Sequence, residues 1–223
     1  MMENQYTKDF FHTLREYYRT KNIIKISESC NKIIKDLKSN DLMIHPLGFY
    51  YNNLFEFENN EKFRIHIWSN NSERLKPLMD IHNHYYNVIS YVVTGHIFNT
   101  LYSSSKSIPS THSLYSGSYD KDGKRILKKT GQNFNLKKIV QNKIKAGNLY
   151  IIDKAEIHKG EVPSSEFTIT IVYTEKPTNP NPQVFGKINK EDEYTFPKLM
   201  IDKNEVKYIL RKCQCLTPYK INC

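Results

Sequence analysis

The stretch DIHNHYYNVISYVVTG, residues 80–95, sets two histidines one residue apart ahead of a mostly apolar run that ends on a glycine. Side chains of a β-strand alternate between its faces, so in an extended chain His82 and His84 share one face while Ile81 and Asn83 share the other. Both imidazoles can then reach one ion. With eight histidines in 223 residues, a pair at this spacing carries little weight alone. It gains weight from GNLYIIDKAEIHKGEV, residues 147–162, where Gly147 opens a turn, a strand follows, Asp153 to Ala155 form a second turn, and His158 appears.

Around these segments the chain changes character twice. Residues 7–20, TKDFFHTLREYYRT, carry Phe10, Phe11, Leu14 and Tyr17 or Tyr18 at helical spacing. Ser27 is a plausible N-cap for a second helix, with Cys30, Ile33, Ile34 and Leu37 as its apolar stripe. From HPLGFYYNNLFEF onward the period becomes two. FRIHIW alternates Phe63, Ile65 and Ile67 with Arg64, His66 and Trp68, and VISYVVTGHIFNTLY, NLYIID and FTITIVYTE are further β-branched or aromatic strands. That succession predicts an all-β sandwich or barrel over residues 41–186, preceded by a helical segment at 1–40 that packs on it. A polar extension at 187–223 follows, with a helix predicted at 202–212.

Composition bounds the setting. An apolar share of 39% with 16 Tyr and 11 Phe supports a folded core, and no stretch approaches the roughly 20 apolar residues that span a bilayer. The start MMENQYTKDFF lacks the apolar core of a secretory signal, so a cytoplasmic protein without a membrane partner is expected. Cys30, Cys213, Cys215 and Cys223 are too few and too uneven for a disulfide framework. Net charge is +10, concentrated in KDGKRILKKTGQNFNLKKIVQNKIK, residues 121–145. Its one glycine-marked turn and interleaved Ile126, Leu127, Leu136 and Ile139 read as hairpin strands with a solvated lysine face. No nucleic-acid motif accompanies the charge, and a nucleic-acid partner is not expected.

The two histidine segments resemble the two motifs of the cupin superfamily. The first motif is His-x-His followed by a turn glycine, here His82, His84 and Gly95. In the second, Gly147 and His158 keep their places while Asp153 and Ala155 stand where the pattern has Pro and Gly. The resemblance covers roughly residues 47–175. It implies a double-stranded β-helix, a jelly-roll barrel, in which His82, His84 and His158 face the interior and share one metal. The glutamate of most metal-binding cupins is absent, its position falling on Val88 or Ile89. Three neutral imidazoles leave the full charge on a divalent ion, which favours anionic ligands, and leave coordination positions open.

The three-histidine type is similar to the cysteine dioxygenase group of thiol dioxygenases, strand by strand through KFRIHIW, IHNH, VISYVVTGHIFNTLY and YIIDKAEIHKGEV. The specialising residues depart. Asn52 or Asn53 stands where the group's substrate arginine is expected, and of the set after the third ligand only Tyr173 persists. The resemblance therefore implies the scaffold and metal, Fe(II) first with Ni, Cu, Zn or Mn as alternatives, better than the substrate. If the Arg64–His66–Trp68 face looks inward, Arg64 can hold an anionic group, with Trp68 and Tyr91 beside the substrate. His66, His96 and Tyr173 are candidate acid–base groups, and Glu156 is a candidate fourth ligand. The expectation is a mononuclear non-haem iron oxygenase acting with O2 on a small anionic or amino-acid-like molecule. An isomerase or lyase of the same scaffold, and a non-catalytic binding module, are the alternatives. A homodimer is compatible with the resemblance.

Overall fold

Period-two alternation shapes the molecule, because the strands KFRIHIW and TITIVYT at the centre of the sheet beneath the helices are each apolar on one face and mixed on the other. The computed structural model describes residues 7–37, 42–70, 77, 79–119, 121, 124–188, 190–196 and 201–215. Thirteen strands form among them: β1 (Met43–Ile44), β2 (Tyr50–Glu56), β3 (Lys62–Trp68), β4 (Ile81–His82), β5 (Val88–Thr94), β6 (His96–Ser105), β7 (His112–Tyr119), β8 (Arg125–Lys145), β9 (Leu149–Ile152), β10 (Ile157–Glu161), β11 (Thr168–Thr174), β12 (Val184–Lys187) and β13 (Glu193–Phe196). They build two sheets, in the orders β1-β2-β3-β11-β5-β9 and β13-β8-β6-β10-β4-β12-β7. All the pairings are antiparallel.

In the first sheet, Phe63, Ile65 and Ile67 of β3 and Ile169, Ile171 and Tyr173 of β11 are fully buried on the face that meets the helices. Helix α1 (Lys8–Arg19) supplies Phe11, Leu14 and Tyr18 to that layer, and α2 (Ile23–Lys35) supplies Ile26, Cys30, Ile33 and Ile34. Each such side chain contributes about 1.5–3 kcal/mol when removed from water. Tyr18, rather than Tyr17, is the fully buried member of its pair, and its hydroxyl donates to the Ile171 carbonyl at 2.8 Å. The second helix starts earlier than the sequence suggests. Asn22 caps it by accepting the Lys25 N–H, directly after Lys21 at φ 55°, and Ser27 lies inside the helix.

The basic segment is the second arm of a β7–β8 hairpin, whose Asp122-Gly123 turn lies outside the described residues. Strand β8 runs for 21 residues, pairing with β7 along its first half and β6 along its second. After β12 the chain adds β13 to the edge of β8 and then α3 (Lys203–Cys215), whose Ile209 and Cys213 join the helical layer. No helix among the described residues is long and apolar enough to cross a membrane.

Candidate metal centre

His82 and His158 stand directly opposite each other on β4 and β10, so the strand register alone brings two imidazoles together. His84 lies just beyond β4, and its backbone is pinned on both sides. Its N–H donates to the Lys154 carbonyl at 3.4 Å, and its carbonyl accepts from the Asn179 side-chain amide at 2.7 Å. The ligand atoms of the three histidines all lie within 4.8 Å of one another, and the Nε2 atoms of His84 and His158 are 2.9 Å apart.

The outer ring nitrogens decide what the inner ones present. His82 Nδ1 lies 3.1 Å from the Asp80 carbonyl, and His158 Nδ1 lies 2.9 Å from Asn99 Oδ1. Both partners are acceptors, so each Nδ1 carries the proton and donates it, leaving each Nε2 as a bare lone pair. Burial holds all three imidazoles below the usual histidine range, with the neighbouring histidines adding to the effect at His84 and His158. Neutral rings with oriented lone pairs are the form in which histidine binds a metal. The three-histidine group could therefore hold a divalent ion.

The site opens into a cavity of about 1150 Å³ walled by both sheets. Arg64, His66 and Trp68 point into it from β3, whereas Phe63, Ile65 and Ile67 point to the helices. Arg64 reaches toward Tyr86, with Nη1 3.5 Å from the phenol oxygen, and its buried Nε has no hydrogen-bond partner. His66 packs on Phe49 at 4.5 Å, and burial keeps it well below the ordinary range. Trp68 shares the wall with Phe49 at 4.9 Å. Val88 lines the cavity and Ile89 faces the helices, so the cavity-facing position without a carboxylate is Val88. Asn53 lines it likewise.

Four expected residues are not brought to the histidines. Tyr91 and Tyr173 have the odd parity of β5 and β11 and are buried in the helical layer. Tyr91 lies against Ser27, and Tyr173 lies against Phe63 and Tyr18. His96 lies on the outer face of β6, its Nδ1 2.7 Å from Glu166, while Ile97 lines the cavity and Asn99 reaches His158. Glu156 turns away from the metal side: its Oε2 accepts the Asp153 N–H at 2.9 Å, and Asp153 Oδ1 accepts the Ala155 N–H at 2.8 Å. Those bonds are how an Asp-x-Ala turn closes without proline and glycine.

Other residues of the site escaped sequence reasoning. His45 stacks on Phe49 at 4.5 Å, accepts the Leu47 N–H, and lines the cavity together with Tyr86 and Arg125. Asn99 had a signal, since asparagine is depleted in strands and this one sits in the middle of HIFNTLY.

No protein-family model and no curated protein matches this chain. Among solved structures it is similar to protein SO0799 from Shewanella oneidensis, at 9% identity and a TM-score of 0.33, covering 79% of this chain and 88% of that one. A likeness that distant speaks to neither family nor activity. Two antiparallel sheets walling a cavity that contains three convergent histidines fit a cupin-like, barrel-like fold.

Proposed function

We propose that this protein is a mononuclear metalloenzyme of cupin type, in which His82, His84 and His158 hold Fe(II) and a small anionic substrate reacts with O2. The observation that carries the reading is the pair of outer acceptors, the Asp80 carbonyl and Asn99, which turn two Nε2 lone pairs inward beside a third imidazole. Iron would supply O2 activation, and three neutral ligands would leave positions for both reactants.

The chain's own groups support an anionic substrate. Arg64, half-buried and with its Nε out of reach of solvent, directs its guanidinium into the same cavity, and no carboxylate lies within ion-pair distance of it among the described residues. Such a group recruits a carboxylate or similar anion, and Tyr86 lies beside it to orient the pair. His66 is held neutral by burial, the state in which an imidazole accepts a proton. Trp68 and Phe49 shield the cavity wall from water. The volume exceeds that of many small-molecule pockets, about 300–1,000 Å³, so the substrate can be larger than a single amino acid.

The test is metal content by mass spectrometry on protein purified without chelator, followed by O2 uptake with a panel of thiols, amino acids and organic acids. About one iron per chain, lost in His84→Ala, with substrate-dependent O2 uptake is the expected result. Metal bound without O2 uptake under any substrate would redirect the reading to Lewis-acid isomerase or lyase chemistry. Absence of metal even after anaerobic Fe(II) loading would overturn it in favour of a binding module.

A further inference from the structure

His82 and His158 are each held twice, by the strand register and by an acceptor at Nδ1. His84 has neither device. It follows β4, and its Nδ1 makes no hydrogen bond among the described residues. Its ring lies along that of Tyr86, with centroids 5.8 Å apart and planes at 16°. A stacked ring can slide on its neighbour, so the aim of this imidazole depends on where the backbone of residue 84 is fixed.

That backbone is fixed by the irregular segment between β11 and β12, EKPTNPNPQ, residues 175–183. Pro177, Pro180 and Pro182 have no N–H to offer a neighbouring strand, so the contact is made by the residues between them. The Glu175 N–H donates to the Asn87 carbonyl at 3.0 Å, and the Thr178 and Asn179 N–H groups both donate to the Tyr85 carbonyl at 2.8 Å. The Asn83 N–H donates to the Gln183 carbonyl at 3.0 Å, and Val184 of β12 then stands opposite His82. The same segment holds the turn ahead of His158. Lys154 Nζ donates to Thr178 Oγ1 at 2.6 Å, and the Lys154 N–H donates to Asn87 Oδ1 at 2.9 Å.

Asn179 is half-buried and is used at both ends of its amide. Its Oδ1 accepts the Asn181 N–H at 3.1 Å, closing a local turn, and its Nδ2 donates to the His84 carbonyl at 2.7 Å. The turn therefore decides which end of the amide faces His84, since a flipped amide would set one carbonyl against another.

We infer that Asn179 is the positioning residue of the third metal ligand, its amide holding residue 84 where the His84 Nε2 meets that of His158. This rests on the metal centre proposed above and adds the residue that aims its one ligand outside the strands.

The experiment is a double-mutant cycle on the full chain, read by competition for Zn(II) against a chelating dye. Asn179→Ser keeps an acceptor for Asn181 but is too short to reach the His84 carbonyl. It should weaken Zn(II) binding about tenfold to a hundredfold, the usual cost of losing a group that orients a ligand. In a His84→Ala background, where two imidazoles remain, the same substitution should leave Zn(II) affinity unchanged. Asn179→Asp, which keeps the size and the acceptor but not the donor, serves in the same cycle if the serine variant misfolds. Unchanged affinity in Asn179→Ser, or the same loss with and without His84, would overturn the inference. Nitrogen-15 NMR of the metal-free protein separates it from the metal reading. The His84 ring signals should shift in Asn179→Ser and those of His82 should stay. A parent that binds no Zn(II) but shows that selective shift retires the metal and leaves Asn179 in its positioning role. No shift at His84, or an equal shift at His82, would overturn that role.

Discussion

His84 and His158 stand 74 residues apart in the chain, yet their Nε2 atoms meet at 2.9 Å. His158 Nδ1 already spends its proton on Asn99, so its Nε2 faces His84 as an acceptor. Either His84 donates a proton into that gap, or both lone pairs turn to a shared cation. The protein thus keeps a proton and a metal ion in competition for one place.

Asn99 is therefore expected to set metal affinity without touching the metal. Asn99→Leu removes the acceptor that fixes the His158 tautomer, and loss of such a partner typically weakens metal binding tenfold to a hundredfold. Asn99→Asp keeps an acceptor at that position and should retain binding. Competition for Zn(II) against a chelating dye measures both. An Asn99→Leu protein that binds metal like the parent would mean that the Asn99 acceptor does not orient His158 as a ligand.

Stability should fall as the medium turns acid. Burial, then the positive charges of His82, Arg64 and Arg125, push His45 from 6.5 to about 3. The unfolded chain takes up this proton below about pH 6.5 and the native state does not, so the native state loses stability as pH falls through that window. One such histidine changes the unfolding free energy by up to about 1.4 kcal/mol per pH unit. Urea unfolding of metal-free protein between pH 4 and 7 should show at least this slope, and His45→Phe should reduce it by roughly that amount.

Much of this fold is legible in the chain because burial follows parity. FRIHIW sorts Phe63, Ile65 and Ile67 onto one face and Arg64, His66 and Trp68 onto the other, and His-x-His with a later His158 states that three imidazoles can converge. Parity also explains the misplacements. Tyr91 and Tyr173 are aromatic residues in correct strands, but the sequence does not say which face of the sheet the helices cover, and that choice sends both away from the cavity. His96 and Glu156 are taken by local partners, Glu166 and the Asp153 N–H, which only the folded turns provide. Arg125 reads as one more charge in a basic run. Its route into the cavity depends on Gly117 across the hairpin, a pairing that requires the β7–β8 register.

Two glycines with similar backbones should respond differently to alanine. Gly95 and Gly147 have φ of +70° and +85°, a left-handed region that costs an L-residue about 1–2 kcal/mol. A Cβ at Gly147 meets open space, so Gly147→Ala should cost about that amount and no more. At Gly95 a Cβ would crowd the Thr168 hydroxyl and come 2.8 Å from the Phe167 carbonyl, where the β5–β6 turn passes the start of β11. Gly95→Ala should be distinctly the more destabilising, and thermal melts of the pair will rank them.

Beside its apolar face, α1 is tied to the sheet by one buried carboxylate. Glu61, with a side chain 6% exposed, pairs with Arg15 at 3.2 Å and Arg19 at 3.1 Å just before β3 begins. Burial raises its pKa, but the Tyr173 hydroxyl and the two arginines outweigh that and hold it below the usual range. Removing one member of a fully buried pair costs about 3–5 kcal/mol. Arg19 is 42% exposed and Arg15 18%, so both can rehydrate, and Glu61→Gln should cost less, about 2–3 kcal/mol. The native carboxylate stays ionised to lower pH than in the unfolded chain, so its contribution is complete above the ordinary carboxylate range and is lost as pH falls below it. The difference in stability between parent and Glu61→Gln should therefore shrink from pH 7 to pH 3. Constant destabilisation across that range would mean that Glu61 acts through shape, and that its charge contributes nothing to holding the helix.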